Sequence, residues 1–244
     1  MALIGFGMLV TVWEILGMTH VIGPAFFDSA PDIFGAVLRS LLLKKTWIDI
    51  WSTLYKTALG LSVAAMLGIP VGVLIGYSDR LRTMLEAPLD FLRSIPATGL
   101  LPLFILLVGI KDGSKIALVA FASTLVITIY TMLGVRNMKP AKQRFAESLR
   151  ASRFDILTKV VFFEALPSTV AGLRVSASLS LVLVIVVEMV MPGETGLGYR
   201  ISNARYTARY TEMYAFIVIC GLIGYSMNKA CEALGHRFIH WSRH

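Results

Sequence analysis

The stretch TALGLSVAAMLGIPVGVLIGYS, residues 57–78, decides what kind of molecule this is. It runs without an Asp, Glu, Lys or Arg from Lys56 to Asp79. A helix of about 20 apolar residues is what crossing roughly 30 Å of hydrocarbon demands. Within it Gly60, Ala64, Gly68, Gly72 and Gly76 recur at intervals of four. Small residues at that spacing leave a groove along one helix face. A second helix can then approach closely, which drives packing where the hydrophobic effect is absent. Pro70 lies inside the ridge and is expected to kink the helix.

The pattern repeats along the chain. No charged residue falls between Arg93 and Lys111, between Lys115 and Arg136, or within 213–228. The interval from Arg174 to Glu194 holds only Glu188, and 2–18 holds only Glu14. Read as spans, these are about 2–18, 57–78, 94–110, 116–135, 174–192 and 213–230. The expected fold class is an all-α membrane protein, a single transmembrane domain over 1–244 with about six helices in the lipid bilayer. Composition agrees: 16% of residues are charged, against about 25% in soluble domains.

The formal charge of +8 does not point to nucleic acid, because no soluble domain is there to present a basic face. In a membrane protein, excess Lys and Arg mark the cytoplasmic side. Six spans put both termini on one side. With the N-terminus inside, thirteen Lys and Arg lie inside and eight outside, favouring cytoplasmic termini. The first apolar run lacks a basic n-region and an A-x-A site, so a cleaved signal peptide is not expected. Cys220 and Cys231 lie on the last apolar segment, about 16 Å apart along a helix, too far for a disulfide.

Between the first two spans, Ser29 and Asp32 around Pro31 are helix-start chemistry. Ile33, Val37, Leu38, Leu41 and Leu42 then share one face, which reads as an amphipathic helix at the outer surface. It either covers the bundle or helps form a docking surface for an external partner.

The chain carries no visible chemistry of its own and is not expected to be an enzyme. The phosphate-cradling pattern G-x-x-x-x-G-K-[ST] is absent, and GIKDGSK from Gly109 lacks its glycine spacing. There is no H-E-x-x-H and no G-x-S-x-G. His236, His240 and His244 share a helical face but lack a cysteine or carboxylate partner set, so no metal is expected.

Polar residues at membrane depth are the candidate pathway. Thr124, Thr128 and Thr131 form a stripe on the fourth span; Ser176, Ser178, Ser180 and Glu188 follow on the fifth. Embedded Ser and Thr either bond to helix carbonyls and neighbours or line a path for a hydrophilic solute. A carboxylate at helix depth costs about 2.5–3.5 kcal/mol to insert and normally faces a cavity or a partner. For Glu188 an architectural or gating role outweighs contact with solute.

The stretch AESLRASRFDILTKVVFFEALP, residues 146–167, interrupts the apolar chain with a polar helix. Phe154, Leu157 and Val161 follow helical spacing, and Ser152 is a suitable N-cap. That predicts two short helices with a bend, ending near Pro167. They are either a charged loop or an element that passes force from a partner to the membrane helices.

Here the chain resembles a known family nearly end to end: the membrane-spanning permease subunit of an ABC importer, of the nitrate/sulfonate/taurine-type group. WEILG at 13–17, APDIFGAV at 30–37, GIPVGVLIGYSDRLR at 68–82 and RSIPATGLLPLFILLVGIKDGSKIAL at 93–118 are similar to its spans and outer segments. GLGYRISNAR at 196–205 resembles the segment before its last span. The most specific part, 146–174, resembles its cytoplasmic EAA loop. Departures are Arg144, Phe145 and Ala146 where that loop begins E-A-A, Arg150 where a glycine is usual, and Phe162–Phe163 in place of L-P.

The resemblance implies the type I ABC importer fold in a bacterial cytoplasmic (inner) membrane. It implies a second copy of the chain, a cytoplasmic ATPase dimer and an extracytoplasmic solute-binding protein as partners. ATP and Mg would sit on the ATPase, with no cofactor in this chain. The cytoplasmic loop at about 136–167 would carry the coupling helix: Ala146, Glu147, Ser148, Leu149, Arg150, Ala151, Ser152 and Arg153, with Leu149 as apolar anchor and the arginines steering. The solute would be a small anion such as a sulfonate, taurine or nitrate. A vitamin or pyrimidine precursor in the same architecture, or an ion-coupled transporter working without an ATPase, are the alternatives.

Overall fold

The structure is a computed structural model that describes residues 2–18, 28–138, 141, 148, 152–191, 193 and 195–238. The described residues are helical nearly throughout. The main helices are α1 (Ala2–Met18), α2 (Ala30–Leu42), α3 (Lys44–Tyr77), α4 (Asp79–Ser94), α5 (Leu101–Val108) and α6 (Asp112–Arg136), followed by α7 (Phe162–Val190), α8 (Leu197–Tyr206) and α9 (Tyr210–Phe238). Four stretches are long and apolar enough to cross a membrane: Lys44–Tyr77, Asp112–Arg136, Ile156–Val190 and Tyr210–Ala233. A bent pair, Asp79–Ser94 with Ala97–Val108, makes a fifth if counted as one span.

That pair replaces the single straight helix expected at 94–110. Ile95 precedes Pro96 and is extended (φ −75°, ψ 125°), as the residue before a proline prefers to be. A 3-10 turn at Ala97–Leu100 and a second proline in the first turn of α5 complete an 86° bend. With eight residues, α5 reaches only about 12 Å, well short of a bilayer. Pro70, by contrast, lies inside α3 and the helix continues through it. Pro167 likewise fails to end the polar segment: α7 runs on through it to Val190, because Ala165 and Thr169 on either side are buried against neighbouring structure.

The chain divides into two compact units, Met1–Thr53 with Glu188–Ile223 and Leu54–Val187 with Gly224–His244. In the first, α2 starts as its sequence suggests, with the Ser29 side chain accepting from the Asp32 amide at 3.4 Å. Its buried edge, however, is Ala36, Val37 and Ser40. Leu38 and Leu42 are exposed, so the apolar stripe read from the sequence is only partly turned inward, as on a helix lying against lipid. Trp13 donates to the Asp28 carbonyl at 3.0 Å and packs edge-on against Tyr214, tying α1 to the start of α2 and to α9. Helix α8 ends in a Schellman turn. The Arg209 amide donates to the Ala204 carbonyl and the Ala208 amide to that of Arg205, with Ala208 in the left-handed region at φ 54°.

In the second unit the glycine ridge of α3 lies against α6. A Cβ at Gly60 would come within 2.6 Å of Val119, and one at Gly72 within 2.7 Å of the Thr128 carbonyl. One at Gly76 would meet Val135 at 2.7 Å, while Ala64 is fully buried. The other side of α6 meets α7 by the same device, at Gly134 against Ala165 and at Gly172 against Tyr130.

Replacing Gly72 by Leu should cost about 2–3 kcal/mol or abolish folding, since backbone rather than a flexible side chain blocks the space. Gly35 on α2 faces open space, and Gly35→Ala should leave stability unchanged or raise it by up to about 1 kcal/mol. Thermal unfolding of both variants in detergent, followed by tryptophan fluorescence, checks the contrast.

Candidate functional site

Two buried polar networks stand out, one in each unit. In the first, Glu188 sits near the end of α7 and is 1% exposed. Its carboxylate accepts from the Thr53 hydroxyl at 2.9 and 3.2 Å and from the Gly198 amide at 3.1 Å. The Thr53 hydroxyl oxygen in turn accepts from the Leu197 amide at 3.0 Å. Asp49, fully buried, accepts from the Gly196 amide at 2.9 Å and from Arg200 Nε at 2.5 Å. Three successive amides at the start of α8 thus end on side chains of α3 and α7.

Those amides are among the donors that a helix start cannot satisfy internally, and they carry the positive end of its dipole. Two carboxylates placed there offset the cost of burying their charge. Gly196 is required twice over: its φ is +129°, and a Cβ would lie 2.4–2.5 Å from the Glu188 carboxyl group. Glu188 therefore ties the start of α8 to the end of α7 and to α3. Asp49, Thr53, Gly196 and Arg200 escape a sequence reading. Asp49 and Thr53 stand among several polar residues in the first half of α3, Lys45, Thr46, Ser52 and Lys56 included, so nothing singles them out; only the pairing of G-L-G with an intramembrane acid hints at the contact.

The second unit brings the pathway candidates together on α6 and α7. The hydroxyls of Ser123 and Ser180 share a bond of 2.8 Å, and Thr169 donates to Thr131 at 3.1 Å. Thr128 donates to the Gly68 carbonyl across the ridge at 3.3 Å, while Thr124 bonds back to the Ala120 carbonyl of its own helix. These hydroxyls bind helices to one another or to themselves. Ser176 differs: its Oγ is buried with no hydrogen-bond partner among the described residues. Ser178 faces outward. Beside α6's start, Asp112 takes Lys115 at 2.9 Å and Lys56 at 3.6 Å, both lysines being buried. Arg174 pairs with Asn228 at 2.7 Å and Glu232 at 3.6 Å.

Of the coupling segment, Ala146, Glu147, Leu149, Arg150 and Ala151 lie outside the described residues, as do His240 and His244. Ser148 is helical and exposed. Ser152 caps the next turn: its hydroxyl oxygen accepts from the Asp155 amide at 3.1 Å, and its O–H donates to the Asp155 carboxylate at 2.5 Å. The Lys159 ammonium, 2.6 Å from Asp155, and then the Ser152 hydroxyl hold that carboxyl below its ordinary range. A depressed carboxylate contributes stability above its unfolded pKa and loses it as pH falls through the lowered folded value. A π-helical stretch, Ile156–Val161, leads from this cap into α7. Phe162 and Phe163, edge to face at 5.6 Å, line an apolar groove with Ile69, Val73, Leu74 and Phe154.

The described residues are helical nearly throughout, and four of the helices, or five counting the bent pair as one span, are long and apolar enough to cross a membrane. Residues 68–238 match the family described as binding-protein-dependent transport system inner membrane component, and the chain belongs to that family. It is 26% identical over 234 residues to the putative aliphatic sulfonates transport permease protein SsuC of Bacillus subtilis, covering 96% of this chain and 84% of that one. To the taurine transport system permease protein TauC of Escherichia coli it is 26% identical, covering 96% and 86%. To the bicarbonate transport system permease protein CmpB of Synechococcus elongatus it is 28% identical, covering 93% and 84%. The fold matches the MetNI methionine ABC transporter in an inward-facing conformation, with a TM-score of 0.70, 20% identity and coverage of 86% and 99%. The chain is a multi-pass permease subunit with the type I ABC importer fold.

Gly196→Ala should destabilise the fold by at least about 2 kcal/mol, read as a sharp drop in unfolding temperature, because both its φ and its space are forbidden to a side chain. Glu188→Gln keeps the shape but loses a charged acceptor and should cost about 1–3 kcal/mol. A Glu188→Gln protein that melts with the parent would show that these bonds carry no stability.

Proposed function

We propose that this permease forms the path for a small anion, of the sulfonate, taurine or nitrate kind, in an ATP-driven importer. The observation that carries this is similarity along nearly the whole chain to relatives named for sulfonate, taurine and bicarbonate. Two copies pair around the path, an extracytoplasmic binding protein delivers solute, and a separate ATPase pair supplies energy with its own ATP and Mg. The chain lies in a cytoplasmic membrane with both termini inside. Residues 146–153 seat in the ATPase, and the Ser152 cap and π-stretch that follow connect that seat to α7. The stripe at Thr124, Thr128, Thr131, Ser176 and Ser180 borders the path, and the Ser176 hydroxyl, fully buried and without a partner among the described residues, would reach solute only when the helices around it part. Glu188 sets the geometry of α8 rather than touching the anion.

Reconstituted vesicles test the reading. Uptake should require ATP, the ATPase and the binding protein together; uptake driven by an ion gradient without an ATPase would overturn it. Replacing both Leu149 and Arg150 with Asp should abolish co-purification of the ATPase while leaving the permease's own melting temperature unchanged. Co-purification at parental yield would place the seat elsewhere.

A further inference from the structure

The first unit contains a cavity of about 600 Å³ bounded by α2, the start of α3, Arg200 of α8, the turn after α8 and the start of α9. Its charged lining is Arg39, Lys45, Arg200 and Arg209 against Asp28 and Glu212. Such a volume suits a small molecule.

The charges do not cancel: with Asp49 set against Arg200 and Glu212 against Arg209, Arg39 and Lys45 still outnumber Asp28. Glu212 holds Arg209 at 3.0 Å, and Asp28 accepts from the Thr211 hydroxyl at 3.0 Å. Arg200 gives its Nε to Asp49, but its Nη2 is buried and has no partner among the described residues. A buried donor left without an acceptor is costly, and such a group in a folded protein asks for an explanation. Arg39 and Lys45 are exposed and enter no ion pair among the described residues. Tyr210, Thr211 and Glu212 are the first turn of α9, where the helix dipole is positive. The wall between α8 and α9 is shaped by the left-handed Ala208, a backbone conformation that side chains rarely adopt.

An unsatisfied guanidinium N–H, two uncommitted cations and a helix start around one small-molecule volume form a receptor for an oxyanion. A guanidinium fork and an ammonium together match a planar carboxylate or the oxygens of a sulfonate. We propose that this cavity binds a small soluble oxyanion, held by Arg39, Lys45 and Arg200. On the orientation proposed above, on which this rests, the site faces the side where a binding protein releases solute, so it is a reception site for the transported anion.

The test uses the permease purified with its ATPase in nanodiscs of zwitterionic lipid. Binding of isethionate, a small sulfonate, is measured by calorimetry beside the neutral dimethyl sulfone. Isethionate should bind saturably and the sulfone should not. The double change Arg39→Gln and Lys45→Gln should weaken isethionate by about tenfold or more, the loss of one or two charge-assisted bonds. The charge-conserving Arg39→Lys with Lys45→Arg should retain binding. Equal affinity in the Gln variant, equal binding of the sulfone, or occupancy by added anionic lipid in place of isethionate would each overturn the proposal. Failure of the ATPase to co-purify bears on the transport reading instead, and the anion comparison is then made on the permease alone.

Discussion

The close approach of α3 to α6 is the constraint on which the second unit depends. In lipid, apolar side chains gain nothing by leaving the solvent, so helices must be held by dispersion over a tight fit and by bonds between them. The fit is tight enough at Gly72 that a methyl group would meet the Thr128 carbonyl at 2.7 Å. The same closeness lets Thr128 reach the Gly68 carbonyl, a bond that a larger residue would hold out of range. On its other side α6 repeats the arrangement against α7, with Gly134 and Gly172 in place of the ridge. Helix α6 is therefore gripped from two sides, and its buried residues include Ser123, Thr128 and Thr131 as well as aliphatic ones.

Buried charge in the first unit is used for folding. Isolated carboxylates as deeply buried as Glu188 and Asp49 would be strongly disfavoured. Here they replace the missing acceptors of a helix start, so two problems are offset by one contact. The cost appears as sequence restriction: position 196 accepts only glycine, and Thr53 must both donate to Glu188 and accept from Leu197. Lys56 and Lys115 show the same economy in the second unit, sharing the carboxylate of Asp112.

The sequence discloses what depends on local pattern. The charge-free runs mark the apolar helices, the four-residue glycine repeat marks the α3 contact, and Ser29 and Ser152 mark the helix starts they cap. What it hides depends on partners distant in the chain. Asp49 lies 147 residues from the Gly196 amide it holds. The break in the third apolar run is encoded by Pro96 and Pro102, yet charge spacing alone reads straight through them. Pro167 errs the other way, promising a helix end that packing overrides. The amphipathic α2 shows a further limit, since periodicity identifies an apolar stripe without saying whether protein or lipid will cover it. Leu42, 86% exposed, is left uncovered by the chain itself.

The distribution of Lys and Arg acquires a meaning from the fold. Thirteen on one side against eight on the other is a weak bias for a chain with a net charge of +8. Four of the eight, Arg39, Lys45, Arg200 and Arg209, line a single cavity. On the proposed orientation, Arg39, Lys45 and Arg200 would be retained on the outer face by the anion site against the topological preference for the other face, and would dilute the bias that orients the chain. Setting the four lining cations aside leaves thirteen against Lys44, Lys111, Lys115 and Arg205. Lys115 is itself committed to Asp112. On that proposal the bias left to orient the chain would be larger than the raw count suggests.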